Sequence, residues 1–272
     1  MTSKSNLKVA VAGLGAVCLP VARWLANGVE GFDLVAVSAN DKEGAAKKIA
    51  DFKYKPPIVD LDELVSMGDI IVEGLPPARY FDLAEPVIEQ GKTLVAVTVT
   101  QLLERPDLIE RAKQTGARII VPTGALMAFD AVRAASYGTI NSLVMATRKP
   151  PKGLLKAPFV IEQGIDLSDL KEPLCLYSGS VRDAAQKFPA NVNVAVALSL
   201  AGSGPDETSY EIWADPAVDR NTHTVKLDSD ATRFEFTIAG VPTDENPATG
   251  KLTPLSVMAT LEGMVSTLKI GA

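Results

Sequence analysis

Cysteine and histidine are almost missing from this chain of 272 residues: Cys18, Cys175 and His223 are the whole complement. Two cysteines make no disulfide framework, and with a single histidine they build no recognisable zinc-ligand cluster, so metal-free chemistry is the expectation. Long apolar runs are missing too. The longest fall well short of a membrane span, and Met1 to Asn6 is a short polar lead without an apolar signal-peptide core. Clusters of lysine and arginine are also lacking: at a net charge of −6 the cations are scattered, which argues against a nucleic acid or an anionic membrane as partner. Neither an internal repeat nor a low-complexity tract interrupts the chain. These absences leave the expectation of a soluble cytoplasmic protein, long enough for two domains with sizeable cores.

What is present is organised around Lys8-Val-Ala-Val-Ala-Gly-Leu-Gly-Ala-Val-Cys18. Val9 to Ala12 reads as a buried strand, breaks into Gly13-x-Gly15 and resumes as a helix through Leu25 and Ala26. Gly13 permits a sharp turn, and Gly15 lets the backbone approach a pyrophosphate seated at the helix N-terminus. Gly13, Gly15, Ala16 and Val17 are therefore candidate cofactor-binding residues. Cys18 takes the place of the third glycine, a small residue that loosens the fingerprint without destroying it. A bare glycine turn after a strand is common; its position before repeated strand and helix units favours a dinucleotide site over an ordinary turn.

Asp33 to Ser38 reads as a second strand, whose end faces the adenosine ribose in such a fold. Ser38, Ala39 and Asn40 are the candidates there, followed by Asp41 and Lys42. Asp41 supports NAD if it turns inward, Lys42 beside the small Ser38 and Ala39 admits the 2′-phosphate of NADP, and the plainer reading has Asp41 simply begin the next helix. The cofactor is thus NAD or NADP. Strands at Asp69 to Glu73, Thr93 to Val99 and Ala117 to Val121 alternate with helices that end at Gly91 and Gly116. This predicts an α/β fold with a doubly wound parallel Rossmann sheet over residues 1–124. Its ligand would lie beyond the strand ends, where Gly13 to Val17, Ser38 to Asp41, Gly74 to Pro77 with Leu75 and Pro76, and Val99-Thr100 gather.

After a helix from about Leu126 to Tyr137 the pattern changes. Strands at 139–147, 174–181, 207–214, 221–228 and 232–239, some separated by only a few residues, predict a largely antiparallel sheet. Helices over 181–188 and 192–201 would cover one face, giving an α+β domain over 125–250. Residues 251–272 carry an amphipathic helix expected to return to the Rossmann domain.

On the strand 221–228, His223 shares a face with Val225 and Leu227, so a titratable ring sits at the end of an inward-facing apolar row. Partial burial beside a cleft would tune it as a general acid or base, against the plainer reading of a hydrogen-bonded structural histidine. Asn191 reads as a helix cap; Asn193, one turn further in, offers an amide to the nicotinamide carboxamide or to a substrate carboxylate. Thr147 to Lys152 and Glu245 to Lys251 carry cations suited to a carboxylate, although their turn-forming composition reads as solvated loops.

Several segments resemble the NAD(P)-dependent L-aspartate dehydrogenases: Val-Ala-Gly-Leu-Gly-Ala-Val at 11–17, Leu-Val-Ala-Val-Ser at 34–38, Pro-Thr-Gly-Ala at 122–125, Thr-Arg-Lys-Pro-Pro at 147–151, Asn-Val-Asn-Val-Ala at 191–195, Ile-Trp-Ala-Asp-Pro at 212–216, Arg-Asn-Thr-His-Thr at 220–224, Glu-Asn-Pro-x-Thr-Gly-Lys at 245–251 and Leu-Ser-Val at 255–257. The resemblance covers nearly the whole chain, and the segments from Asn191 onward are more specific than the glycine turn. It implies a Rossmann domain joined to an α+β catalytic domain, commonly as a homodimer. It also implies that His223 matches the catalytic histidine and that Ala125 and Asn193 match cofactor-contacting positions. Asn40 stands where relatives often carry arginine, which weakens an NADP preference. The implied reaction is oxidation of L-aspartate to iminosuccinate, then hydrolysis to oxaloacetate and ammonia, or the reverse reductive amination, with His223 handling the proton. Two alternatives remain: a reductase or dehydrogenase of another small imine, amino acid or semialdehyde, and a non-catalytic dinucleotide-binding sensor, against which His223 in its matching context counts.

Overall fold

The structure, a computed structural model, describes residues 5–189, 192–246 and 249–271. The chain divides into two compact units, Met1–Gly124 with Thr253–Lys269, and Ala125–Leu252 with Ile270–Ala272. The first unit carries strands β1 (Leu7–Ala12), β2 (Phe32–Ser38), β3 (Ile70–Glu73), β4 (Thr93–Ala96) and β5 (Arg118–Ile120), connected through helices α1 (Cys18–Ala26), α2 (Lys42–Lys48), α3 (Leu61–Met67), α4 (Tyr80–Glu89) and α5 (Asp107–Thr115). The sheet order is β2-β1-β3-β4-β5, every pair parallel. Apolar runs without alternation suit this arrangement, because crossover helices cover both faces; the last four residues of β1 and all of β3 are buried. The strand order reverses between β1 and β3, which makes their carboxyl ends the crevice where ligands bind in such sheets.

Local chemistry sets the boundaries. Asp41 caps α2, its Oδ1 accepting the Gly44 N–H at 2.9 Å, so it does begin a helix. Gly116 closes α5 in the left-handed region at φ +77°. The fourth strand stops at Ala96, shorter than its apolar run to Val99 predicts. The N–H groups of Val97 and Thr98 turn to the Glu73 carboxylate, and Val99–Leu103 winds into a 3-10 helix.

The second unit contains α6 (Phe129–Ala135), β6 (Ile140–Lys149), α7 (Pro158–Glu162), β7 (Leu174–Ser180), α8 (Val181–Lys187), α9 (Asn193–Ala201), β8 (Ser209–Ala214), β9 (Thr222–Ser229) and β10 (Arg233–Ala239). Its sheet order is β10-β9-β6-β8-β7. The pairs are antiparallel apart from β6 with β8, whose connection through α7, β7, α8 and α9 is long enough for a parallel crossover. Helix α6 starts later than Leu126 because Gly124 and Ala128 both adopt positive φ, which keeps the intervening residues in a turn. No helix among the described residues is long and apolar enough to cross a membrane.

The last helix, α10 (Leu252–Val265), belongs to the first unit. Its Val257 and Leu261 are fully buried in the cluster that includes Val9, Val11, Phe32 and Leu34, and the Ser256 hydroxyl accepts the Gly124 N–H at 3.1 Å. The final helix therefore completes the core of the first sheet. Truncating Leu261 to alanine removes a buried side chain from that core and is expected to cost about 3 kcal/mol, read as a lowered urea midpoint with an unchanged slope. An unchanged midpoint would show that α10 contributes no core packing.

Candidate active site

Three strand ends meet at the reversal point. Gly13 follows β1 with φ of +88°, and a Cβ there would lie 2.4 Å from the Gly74 carbonyl oxygen, so glycine is required on two counts. Its N–H donates to the Ser38 carbonyl at 2.8 Å, and the Gly74 N–H donates to the Ala12 carbonyl at 2.9 Å. A Cβ at Gly15 would meet nothing within 4 Å, which leaves open space over that stretch of backbone. Cys18 is fitted by the opposite strand end. A Cβ at residue 74 would fall 2.3 Å from its Sγ, so the glycine that the fingerprint places at the helix start is supplied instead by Gly74. Burial, aided by the charge of Glu73, pushes the Cys18 thiol pKa up and keeps it a packing group.

Glu73, the last residue of β3, has no exposed surface. Its carboxylate accepts the N–H groups of Leu75 (2.8 Å), Val97 (3.0 Å) and Thr98 (2.8 Å) and the Thr98 hydroxyl (2.8 Å). Burial pushes its pKa up, and these hydrogen bonds pull the other way. One carboxylate thus ties the exits of β3 and β4 together. Sequence reasoning ends a strand at Glu73 but gives it no role, because the partners it holds beyond Leu75 come from the exit of β4.

Around these ends lies a cavity of about 390 Å³. Of the sequence candidates, Gly13, Gly15, Ala39, Asn40, Asp41, Gly74, Leu75 and Pro76 line it, together with Lys48 and Arg79, which sequence reasoning missed. The Lys48 ammonium donates to the Leu14 carbonyl at 2.9 Å, which fixes a cation beside the glycine loop. Open backbone at Gly15, a required glycine at 13 and an adjacent lysine fit the pyrophosphate of a dinucleotide. Ser38 is buried behind the lining and serves through its carbonyl. Ala16 and Val17 turn into α1, Val17 as its N-cap residue, outside the lining. Val99 and Thr100 are buried in the 3-10 helix, so the fourth strand end does not join the other three. Lys42 pairs with Asp60 at 2.8 Å.

In the second unit the buried face of β9 carries His223, 5 % exposed and more enclosed than a partly buried ring beside a cleft. Opposite it on β6 stands Thr147, whose Oγ1 lies 3.0 Å from His223 Nδ1 and accepts the Tyr210 hydroxyl at 2.9 Å. With two lone pairs and one proton, the Thr147 hydroxyl serves either ring tautomer: it donates to Nδ1, or accepts an Nδ1 proton and leaves the Nε2 lone pair available. Lys149, two residues further along β6, is only 6 % exposed. Burial pushes its pKa down to about 8, which still leaves it mostly charged at neutral pH. Burial, reinforced by that charge, pushes His223 down to about 4.

The solvated-loop reading of Thr147 to Lys152 is therefore wrong for its first residues. Strand β6 continues through Lys149, and Arg148 pairs with the buried Asp215 at 2.8 Å while its guanidinium lies 4.9 Å from the Trp213 ring centre. Turn-forming Pro150 and Pro151 masked a strand that ends at the residue before them. In the described part of 245–251, Lys251 is exposed with Asp244 at 3.4 Å. Asn193 is the first residue of α9 rather than one turn inside it, and Asn191 lies outside the described residues. Ala125 follows the left-handed Gly124, in the second unit.

Comparison with known proteins adds to this geometry. Residues 130–264 match the family described as aspartate dehydrogenase, C-terminal, and residues 13–122 match the NAD binding domain of homoserine dehydrogenase. The chain is 49 % identical to L-aspartate dehydrogenase 3 of Bordetella bronchiseptica over the full length of both, and 46 % identical to L-aspartate dehydrogenase of Bradyrhizobium diazoefficiens, covering 99 % of this chain and 96 % of that one. Among solved structures it resembles aspartate dehydrogenase from Thermotoga maritima, with a TM-score of 0.73 at 24 % identity over 98 % of this chain and 100 % of that one. It also resembles scyllo-inositol dehydrogenase from Lactobacillus casei bound to NAD(H) and scyllo-inositol, with a TM-score of 0.55 at 14 % identity over 98 % and 91 %. At these identities the two structures speak for the fold alone.

The burial of His223 has a measurable consequence. Its pKa is near 4 when folded against about 6.5 when unfolded, so between these values the unfolded chain binds the extra proton. Stability from this group is present above pH 6.5 and is lost as pH falls toward 4, by about 3 kcal/mol. As His223 is the only histidine, its ring resonances are unambiguous in an NMR titration, and a urea series at pH 7 and pH 4.5 reads the same linkage. A ring that titrates above pH 6 in the folded protein would contradict the burial argument.

Proposed function

The chain belongs to the aspartate dehydrogenase family, and from that premise we propose that it is an NAD(P)-dependent L-aspartate dehydrogenase in which the two units divide the work. The glycine loop of the first unit, with Gly13, Gly15, Ala39, Asn40, Leu75 and Pro76, holds the dinucleotide. The second unit supplies substrate binding and proton transfer. When bound, the cofactor supplies hydride chemistry at C2 of aspartate, and the protein contributes placement and proton handling. Support comes from one observation above all: the buried row of His223, Thr147 and Tyr210 with the Lys149 ammonium beside it.

His223 acts as the base in the tautomer whose Nδ1–H donates to Thr147. Its Nε2 takes a proton from the substrate amine, or from the water that converts iminosuccinate to oxaloacetate and ammonia. Burial keeps the ring unprotonated at neutral pH, so its lone pair is available, although as a weaker base than a free imidazole. Lys149, charged at neutral pH and shielded from water, is the cation proposed for one of the substrate's two carboxylates. Ala125 and Asn193 remain proposed cofactor contacts, on the family resemblance. The enzyme is further proposed to work in the cytoplasm, a setting that suits its two free cysteines, and as a homodimer paired through the half-exposed sheet face that carries Val144, Ala146 and Trp213.

Reduced-nicotinamide absorbance with purified protein tests the reading: turnover is expected with L-aspartate and not with L-glutamate or L-alanine. His223→Ala is expected to lower kcat by about two to four orders of magnitude while retaining cofactor binding. Cofactor binding without aspartate turnover would contradict the substrate, and an unchanged kcat in His223→Ala would contradict the proton role. Light scattering should give twice the chain mass; a monomer at working concentration would remove the dimer from the proposal.

A further inference from the structure

The ribose end of the cavity has an unexpected charge arrangement. In a Rossmann sheet a site selective for NAD places an acidic side chain at the end of β2, where it accepts from the ribose 2′-hydroxyl. Asp41 is the acid available here; it lines the cavity, but its Oδ1 is engaged as the cap of α2, accepting the Gly44 N–H at 2.9 Å. The adjoining Asn40 has its carbonyl oxygen turned to a cation that arrives from another strand exit. Arg79, at the end of the 3-10 turn Pro77–Arg79 that follows β3, donates from Nη1 to Asn40 Oδ1 at 3.1 Å, and the carboxylate of Asp82 holds its Nε. Both Asn40 and Arg79 line the cavity.

From this arrangement we propose that Arg79, steered by Asn40 and Asp82, is the recognition group for a 2′-phosphate, so that the site prefers NADP(H) to NAD(H). The inference rests on the reading of this cavity as the dinucleotide site. Arginine suits the task because its planar fork keeps donors beyond Nε and the Nη1 bond already made, and a guanidinium pairs with phosphate through parallel hydrogen bonds. Asn40, accepting through its carbonyl, turns its amide N–H groups toward use as neutral donors and puts no negative charge at the ribose. Asp82 stabilises the guanidinium from the Nε side and leaves the other edge of the fork for the ligand. This device is spread over two strand exits: the expectation from position 40 alone, that an asparagine weakens an NADP preference, does not see the arginine placed against it from position 79.

Fluorescence titration of the full chain with NADPH and NADH tests the inference without turnover, and 2′,5′-ADP against 5′-AMP isolates the 2′-phosphate. NADPH is expected to bind at least about tenfold more tightly than NADH, with 2′,5′-ADP outcompeting 5′-AMP by a similar factor. In Arg79→Gln the ratio of the two dissociation constants should fall toward one, and in Asn40→Asp, which puts a carboxylate at the ribose, it should fall to one or reverse. Equal affinities in the unmodified protein, or a ratio untouched by Arg79→Gln, would overturn the inference. If aspartate turnover with NAD persists in that case, the function stands and only the 2′-phosphate assignment falls. If neither dinucleotide binds, the reading of the cavity falls with it.

Discussion

The close approach of β1 and β3 is the constraint on which the first unit depends. Strand β1 must turn within van der Waals distance of the chain leaving β3, and that is possible because position 13 has no side chain and adopts φ of +88°. The same proximity reaches to the helix start, where the Cys18 sulfur takes the room that a side chain at position 74 would need. Glu73 then holds the loop beyond β3 to the loop beyond β4 through one desolvated carboxylate. Geometry at the crevice is thus fixed by two glycines and a buried acid, so the loops that line the cavity stand on an ordered base rather than on loop chemistry of their own.

A comparable economy operates in the second unit. Three polar side chains, from β9, β6 and β8, are inserted into the buried face of the sheet, beside Lys149, and satisfy one another in series. Burying such groups is costly unless each finds a partner, and the chain from Tyr210 through Thr147 to His223 meets that requirement. The same burial that demands partners depresses the histidine and lysine pKa values, and so yields a neutral imidazole next to a cation at neutral pH. Structural cost and chemical use arise here from one arrangement.

Elements with a strong local signature were legible from the amino acids. Apolar runs and terminal glycines mark the parallel strands and their helices, and the side-chain alternation of β9 places His223 inward before any coordinates are known. Illegible were the features made by distant residues. Glu73 has no partner nearby in sequence apart from Leu75, Arg79 reaches Asn40 across 39 positions, and Tyr210 and Thr147 meet across 63. Lys149 was hidden for a different reason: the prolines after it make its neighbourhood read as a turn, although the strand persists up to them. Asp41 shows the opposite case: the local reading, a helix cap, is met by one hydrogen bond to Gly44, while the residue also lines the cavity.

The hydride is proposed to leave from C2 of L-aspartate, with the remaining proton handled by the protein's own side chains. Incubating the protein with L-aspartate deuterated at C2 and the oxidised cofactor, then examining the reduced nicotinamide by NMR, tests it directly. One deuterium at C4 of the nicotinamide ring is expected for each ammonia released. Reduced cofactor without deuterium, or ammonia released without reduced cofactor, would contradict it.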